Sequence, residues 1–151
     1  MKKLVGPVLF LFSATLAGMQ FVRPARTNLT ADSSAALRTA HPAGAILERS
    51  CYDCHSQQTR WPWYSSVAPT SWLVADHVRH ARKHLDFSRW NQLEAPARRH
   101  LLEEICEEVE AEKMPLRSYL WIHRGARLSS DDVATLCGWT REEMSRLGPE
   151  S

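Results

Sequence analysis

Apolar residues run almost unbroken from Leu4 to Val22, and beyond that run they recur at helical rather than alternating spacing. His41-Pro42 opens a short helix carrying Ala45, Ile46 and Arg49. Trp72, Leu73, Ala75, His77, Val78 and Ala81 mark a second helix reaching about His84, with Thr70 or Ser71 as its capping residue. Asp86 and Ser88 offer capping oxygens before Trp90, and Pro96 suits the first turn of an amphipathic helix through Leu101, Leu102, Ile105 and Val109. Ser129 with Asp132 three residues on begins a last helix through Val133 and Leu136 toward Leu147. Two stretches stay irregular. Ser56 to Pro69 holds Trp61-Pro62-Trp63-Tyr64 and reads as an aromatic loop with at most one helical turn, and Lys113 to Arg127 reads as a loop. With no period-two run, Asn-Gly turn or internal repeat, the pattern predicts an all-α domain of about four helices with long loops, preceded by an N-terminal apolar helix.

The chain of 151 residues has room for one core, and its net charge of +2 supplies no basic field for nucleic acid. Lys2 and Lys3 ahead of the apolar run give residues 1–23 the layout of an export signal or an uncleaved membrane anchor. The run is long enough to span a bilayer, while Ala14, Ala17 and Gly18 would permit cleavage. Residues 24–40 mix Arg, Thr, Asn, Ser and Ala without a sustained period and read as a flexible tether, leaving 41–148 as the folded domain. The expected location is periplasmic, either soluble after cleavage or held at the inner membrane by residues 4–22.

Cys51-Tyr-Asp-Cys54-His55 has the spacing of c-type haem attachment. Thiols three residues apart are neighbours on one helical turn, so both can reach the vinyl groups on one porphyrin edge, and the histidine that follows is placed to ligate the iron. A thioredoxin-like dithiol would sit beside a βαβ pattern, which is lacking. A zinc site would need a second close pair, whereas Cys106 and Cys137 stand apart; a Cys51–Cys54 disulfide would close too small a loop to stabilise much.

From His41 to Trp139 the chain also resembles the small bacterial haem-binding domain family of cytochrome c-like proteins. The resemblance rests on Cys51 to Ser56, Arg60-Trp-Pro-Trp-Tyr64, Ala68-Pro69, Ser71-Trp72, Leu85-Asp-Phe-Ser88 with Trp90, Met114-Pro115, Tyr119 and His123. It departs at Gln57, where members typically carry Asn, at Ala81 before Arg82, where they often carry Gly, and at Asp86, where they often carry Asn. It implies a cytochrome c-like fold around one haem c attached through Cys51 and Cys54.

The sixth iron ligand decides the chemistry. Met114 sits in a loop and precedes Pro115, which biases it toward extended backbone and would let its thioether reach the iron; core filling is the other role for such a residue. His77, His80 and His84 offer a bis-His alternative, while Met19 and Met144 belong to packing. His41, His100 and His123 read as surface positions or supports. Trp61, Tyr64 and Trp72, with Trp63, Trp90 and Trp121, are expected in the core and the haem-pocket wall, and Arg82, Arg60 or Arg79 either meets a propionate or is a solvated charge.

Glu103 to Glu112 and the basic stretch around Arg79, Arg82, Lys83 and His84 read as solvated helix faces, or as steering surfaces for a redox partner. Cys106 and Cys137 fall on apolar helical faces, either paired in an oxidising compartment or as buried thiols. With His55 and Met114 both on the iron, the expectation is a monohaem electron carrier rather than an enzyme. A displaceable or absent sixth ligand would make it a haem-based sensor, and a distal histidine over open iron a peroxidase.

Overall fold

The computed structural model describes residues 2–30 and 32–148, and among them there are helices and no strand. Met1, the first residue of the expected leader, lies outside the described residues. Helix α1 spans Lys2–Met19, α2 Ala43–Ser50, α3 Tyr52–His55, α4 Thr70–His84, α5 Ala95–Glu110, α6 Arg117–Leu120 and α7 Ser130–Arg146. Short 3₁₀ segments occupy Trp63–Ser66, Phe87–Gln92 and Arg124–Ala126.

The core is built where α2, α5 and α7 meet. Ile46 and Leu47 of α2, Leu101, Leu102, Ile105 and Val109 of α5, and Leu136, Cys137 and Trp139 of α7 close around Leu85, Phe87 and Trp90. The α5 positions recur at i, i+1, i+4 and i+8, the stripe a helix needs to face one partner. Leu47, Leu102 and Leu136 have no exposed surface at all, and each such side chain contributes about 1.5–3 kcal/mol by leaving water. A disulfide between Cys106 and Cys137 then locks α5 to α7, with Cα atoms 4.9 Å apart, which resolves the pairing of these two cysteines.

The helix ends carry both agreements and departures. Ser129 and Asp132 form a reciprocal capping box at α7, and Asp86 accepts from the Ser88 amide at 2.9 Å to start the 3₁₀ turn. Neither Thr70 nor Ser71 caps α4. Pro69 is its N-cap without a side-chain bond, because the preceding backbone already winds and the Val67 carbonyl accepts the Ser71 amide at 2.8 Å. The 113–127 stretch holds α6 and a 3₁₀ turn in place of an open loop. At the end of α5, Glu112 takes a left-handed conformation at φ 53°, and the Lys113 and Met114 amides both donate to the Glu108 carbonyl at 3.0 and 3.1 Å. That reversal turns the chain back toward α3.

Residues 24–30 and 32–40 lie along the domain. Ala35 is buried, its carbonyl accepts from the Asn91 amide at 2.8 Å, and the Leu37 amide donates to the Phe87 carbonyl at 2.7 Å. Ahead of them, Gln20 exchanges two hydrogen bonds with the Ala68 backbone, and the Trp72 indole donates to the Val22 carbonyl at 2.7 Å. In α1 the side chains of Val5, Val8, Leu9, Phe10, Leu11 and Phe12 are each at least 60% exposed. Among the described residues no helix is long and apolar enough to cross a membrane.

Candidate functional site

Helix α3 is a single turn, and the carbonyl of Cys51 accepts from the amides of both Cys54 and His55. This winding puts the two thiols and the imidazole on the wall of one cavity of about 450 Å³, a size suited to a sizeable organic ligand. The cavity reaches from α3 to the second half of α4, to the stripe Leu101, Ile105 and Val109 on α5, and to Met114, Pro115 and Leu116 beyond it. Its inner wall is aliphatic, with Phe87 as the buried aromatic. His77, His80, His84, Glu104 and Glu108, with Ser50, Asp53 and Tyr119, supply the polar lining.

His55 is oriented from behind. Its Nδ1 lies 3.1 Å from the Leu85 carbonyl, which fixes the proton on Nδ1 and leaves Nε2 as the basic nitrogen, with no partner among the described residues. Phe87 packs edge-on against the imidazole and is itself stacked on Tyr52. Burial holds the His55 pKa below the usual histidine value, so the neutral, ligating form is favoured at neutral pH. Cys51 and Cys54 are free thiols, pushed up to about 12 and about 11 by burial first and by neighbouring negative charge second. Thiols kept protonated in this way exchange slowly with disulfides and persist side by side.

The loop bearing Met114 is tied to the cysteine motif. Tyr119, on α6, donates to the Asp53 carboxylate at 2.9 Å, and Asp53 also accepts from the Arg60 amide at 3.1 Å and its guanidinium at 3.2 Å. The Tyr119 ring stacks on His123 at 4.2 Å, and His123 Nε2 lies 2.6 Å from the Tyr64 hydroxyl. His123 is therefore a support between two tyrosines. This chain of contacts was not legible from spacing, although Asp53 lies inside the cysteine motif and Tyr119 two residues beyond Arg117 at the start of α6.

Of the residues singled out from sequence, Cys51, Cys54, His55 and Met114 come together on the cavity, and so do His77, His80 and His84. Trp61, Tyr64, Trp72 and Arg82 do not line it. Tyr64 of the aromatic loop is engaged by His123 and Trp72, on α4, by the Val22 carbonyl, while the buried Trp61 indole nitrogen has no partner among the described residues. Arg82 cross-links the chain, donating to the carbonyls of Ser56 at 2.8 Å and Thr27 at 2.7 Å and to the side chains of Asn28 and Thr59. The acidic and basic stretches meet at the cavity, where His84 Nε2 lies 2.9 Å from Glu104.

The site fits an iron-centred planar group: two free thiols, a pre-oriented basic nitrogen and a thioether share an apolar cavity, and the other two cysteines are paired in a disulfide outside it. Comparison with known proteins agrees on the ligand. A family model described as a haem-binding domain matches residues 14–142. Neither a curated protein nor a solved structure gives a significant match.

Proposed function

Since the chain belongs to the haem-binding domain family, we propose that it is a monohaem c-type cytochrome that carries electrons outside the cytoplasm, either as a cleaved soluble protein or anchored by its N-terminal segment. The observation behind this reading is the convergence of Cys51, Cys54, His55 and Met114 on one apolar cavity. Cys51 and Cys54 would hold the haem through thioethers, with His55 Nε2 as the proximal ligand and Met114 as the distal one. The haem supplies the one-electron chemistry. The protein's part is to keep the iron's ligands fixed and water out, so that little rearranges when the charge changes.

His55 is held by the Leu85 carbonyl and Phe87, and Met114 by the turn at Glu112 and the Tyr119–Asp53 bond. A thioether is a soft ligand that favours ferrous iron, so this pair suits a carrier of relatively high potential. With His55 and Met114 both holding the iron, the haem would leave no open site for substrate or peroxide, and redox partner proteins would be the clients.

The test is an optical spectrum of the purified protein, oxidised and reduced, beside Met114→Ala. Wild type should show the far-red sulfur-to-iron band and bind carbon monoxide slowly; the variant should lose the band, bind carbon monoxide readily and fall in potential. A wild type that binds carbon monoxide at once would favour a sensor. Because His77, His80 and His84 also line the cavity, a spectrum that responds to one of them and not to Met114 would make the haem bis-His. Covalent attachment is checked separately: haem should stay with the denatured chain, and should not in the Cys51→Ala/Cys54→Ala variant.

A further inference from the structure

A second cavity, of about 190 Å³, lies where the N-terminal segment meets the domain. Gln20, Arg23, Arg26, Ser65, Ser66 and Ser71 line it, and none of its lining residues is acidic. Arg26 Nη1 donates to the hydroxyls of Ser66 at 2.6 Å and Ser65 at 3.2 Å, while Arg23 Nε donates to the Gln20 carbonyl at 3.3 Å. Each guanidinium keeps further donors for a ligand, and the Ser66 and Ser71 hydroxyls stand beside them, the Ser65 hydroxyl donating its own proton to the Pro62 carbonyl at 2.6 Å. A tetrahedral oxyanion of the phosphate type is the ligand such a set matches.

The exposed apolar residues within two positions of those lining the cleft select the source of that phosphate. Phe21, Trp63, Val67 and Leu73 are 88, 79, 45 and 55% exposed, and the α1 side chains that precede them are exposed as well. Exposed indole and aliphatic groups around arginines are the composition of a membrane interface, where rings sit at headgroup level and cations meet lipid phosphates. We propose that this end of the domain is a seat for an anionic phospholipid, its headgroup phosphate in the Arg23–Arg26 cleft and Trp63, Val67 and Leu73 in the interface. The inference rests on the membrane-held form of the reading above, with the N-terminal segment lying in the interface, since no described helix is long and apolar enough to span the bilayer.

The seat also orients the cavity. Ser71 stands at the start of α4 and His84 at its end, about 20 Å apart along the helix at 1.5 Å per residue. With the first turn of α4 at the bilayer, the cavity-lining His80 and His84 lie toward the other end of that helix.

The test uses the full-length holoprotein in nanodiscs of phosphatidylcholine alone or with one-third phosphatidylglycerol, reading amide hydrogen exchange over residues 62–68. One basic side chain near an anionic surface is worth a factor of about five, so exchange should slow roughly thirtyfold in the anionic discs. Arg23→Gln/Arg26→Gln should abolish the difference and Trp63→Ser should reduce it, while the visible spectrum stays unchanged as proof of an intact haem domain. Equal exchange in both discs overturns the seat and leaves the haem reading standing. Protection reproduced by inorganic phosphate in neutral discs would make the cleft a free-anion site, and protection appearing on concentration without lipid would make the surface a contact between copies; either overturns the proposal. Recovery of a chain cleaved before Gln20 overturns the seat together with the anchor.

Discussion

The Cys106–Cys137 disulfide joins the two helices that carry most of the core, and its removal has a magnitude that follows from its place in the chain. The two cysteines are 31 residues apart. In the chain-entropy model, freeing a loop of that length gives the unfolded state an advantage of about 3.7 kcal/mol. Cys137 is 2% exposed, so trimming it to Ala also leaves a small void, whereas reduction does not. Comparing reduced wild type with Cys106→Ala/Cys137→Ala therefore separates the cross-link from the packing.

Both should unfold at lower urea concentration than the oxidised protein, and Tm should fall by about 10–15 °C at roughly 4 °C per kcal/mol for a domain of this size. The slope against urea should rise slightly, since an uncrosslinked chain exposes more surface. Alkylation in denaturant supplies the chemical check: the holoprotein should take up no label before reduction and two labels after, because Cys51 and Cys54 are then in thioethers. Two labels before reduction, or identical midpoints for oxidised and reduced protein, would refute the reasoning.

Other perturbations follow from the same structure. Glu112 is exposed in a left-handed conformation that costs a side-chain-bearing residue about 1–2 kcal/mol, so Glu112→Gly should raise stability by about 1 kcal/mol in urea unfolding; destabilisation would mean that the turn holds strain elsewhere. Asp132 is held below the usual carboxylate range, chiefly by the Ser129 amide and then by the Ser129 hydroxyl and Arg49. A depressed folded-state value means this contribution is complete above about pH 4 and lost on further acidification; Asp132→Asn should flatten that limb at a cost of no more than about 1 kcal/mol, given how solvated the partners are. Tyr119→Phe removes a bond to a carboxylate worth about 1.5–3 kcal/mol, and should weaken the far-red band and quicken carbon monoxide binding; an unchanged spectrum would deny Tyr119 a part in positioning Met114. Phe87→Ala should cost about 3–5 kcal/mol in thermal unfolding, because Phe87 is 1% exposed and packs on Tyr52, His55 and Trp90.

Sequence alone determined what is local. The helical spacing of α4, α5 and α7, the Ser129–Asp132 box, the Asp86 cap and the Cys51–Cys54–His55 turn all depend on residues within one or two turns of each other, and such patterns are written in the chain directly. Long-range packing decided the rest. Whether Cys106 and Cys137 are paired depends on α5 and α7 lying side by side, and nothing within either helix states it. Tyr64 and Trp72 are engaged by hydrogen-bond partners 50 or more residues away, His123 for Tyr64 and Val22 for Trp72, and no local pattern states those contacts. Arg82 likewise found carbonyls at Thr27 and Ser56 that compete for a guanidinium at any spacing. Met114 reaches the cavity because one non-glycine residue, Glu112, adopts a conformation that local propensity disfavours and tertiary packing imposes.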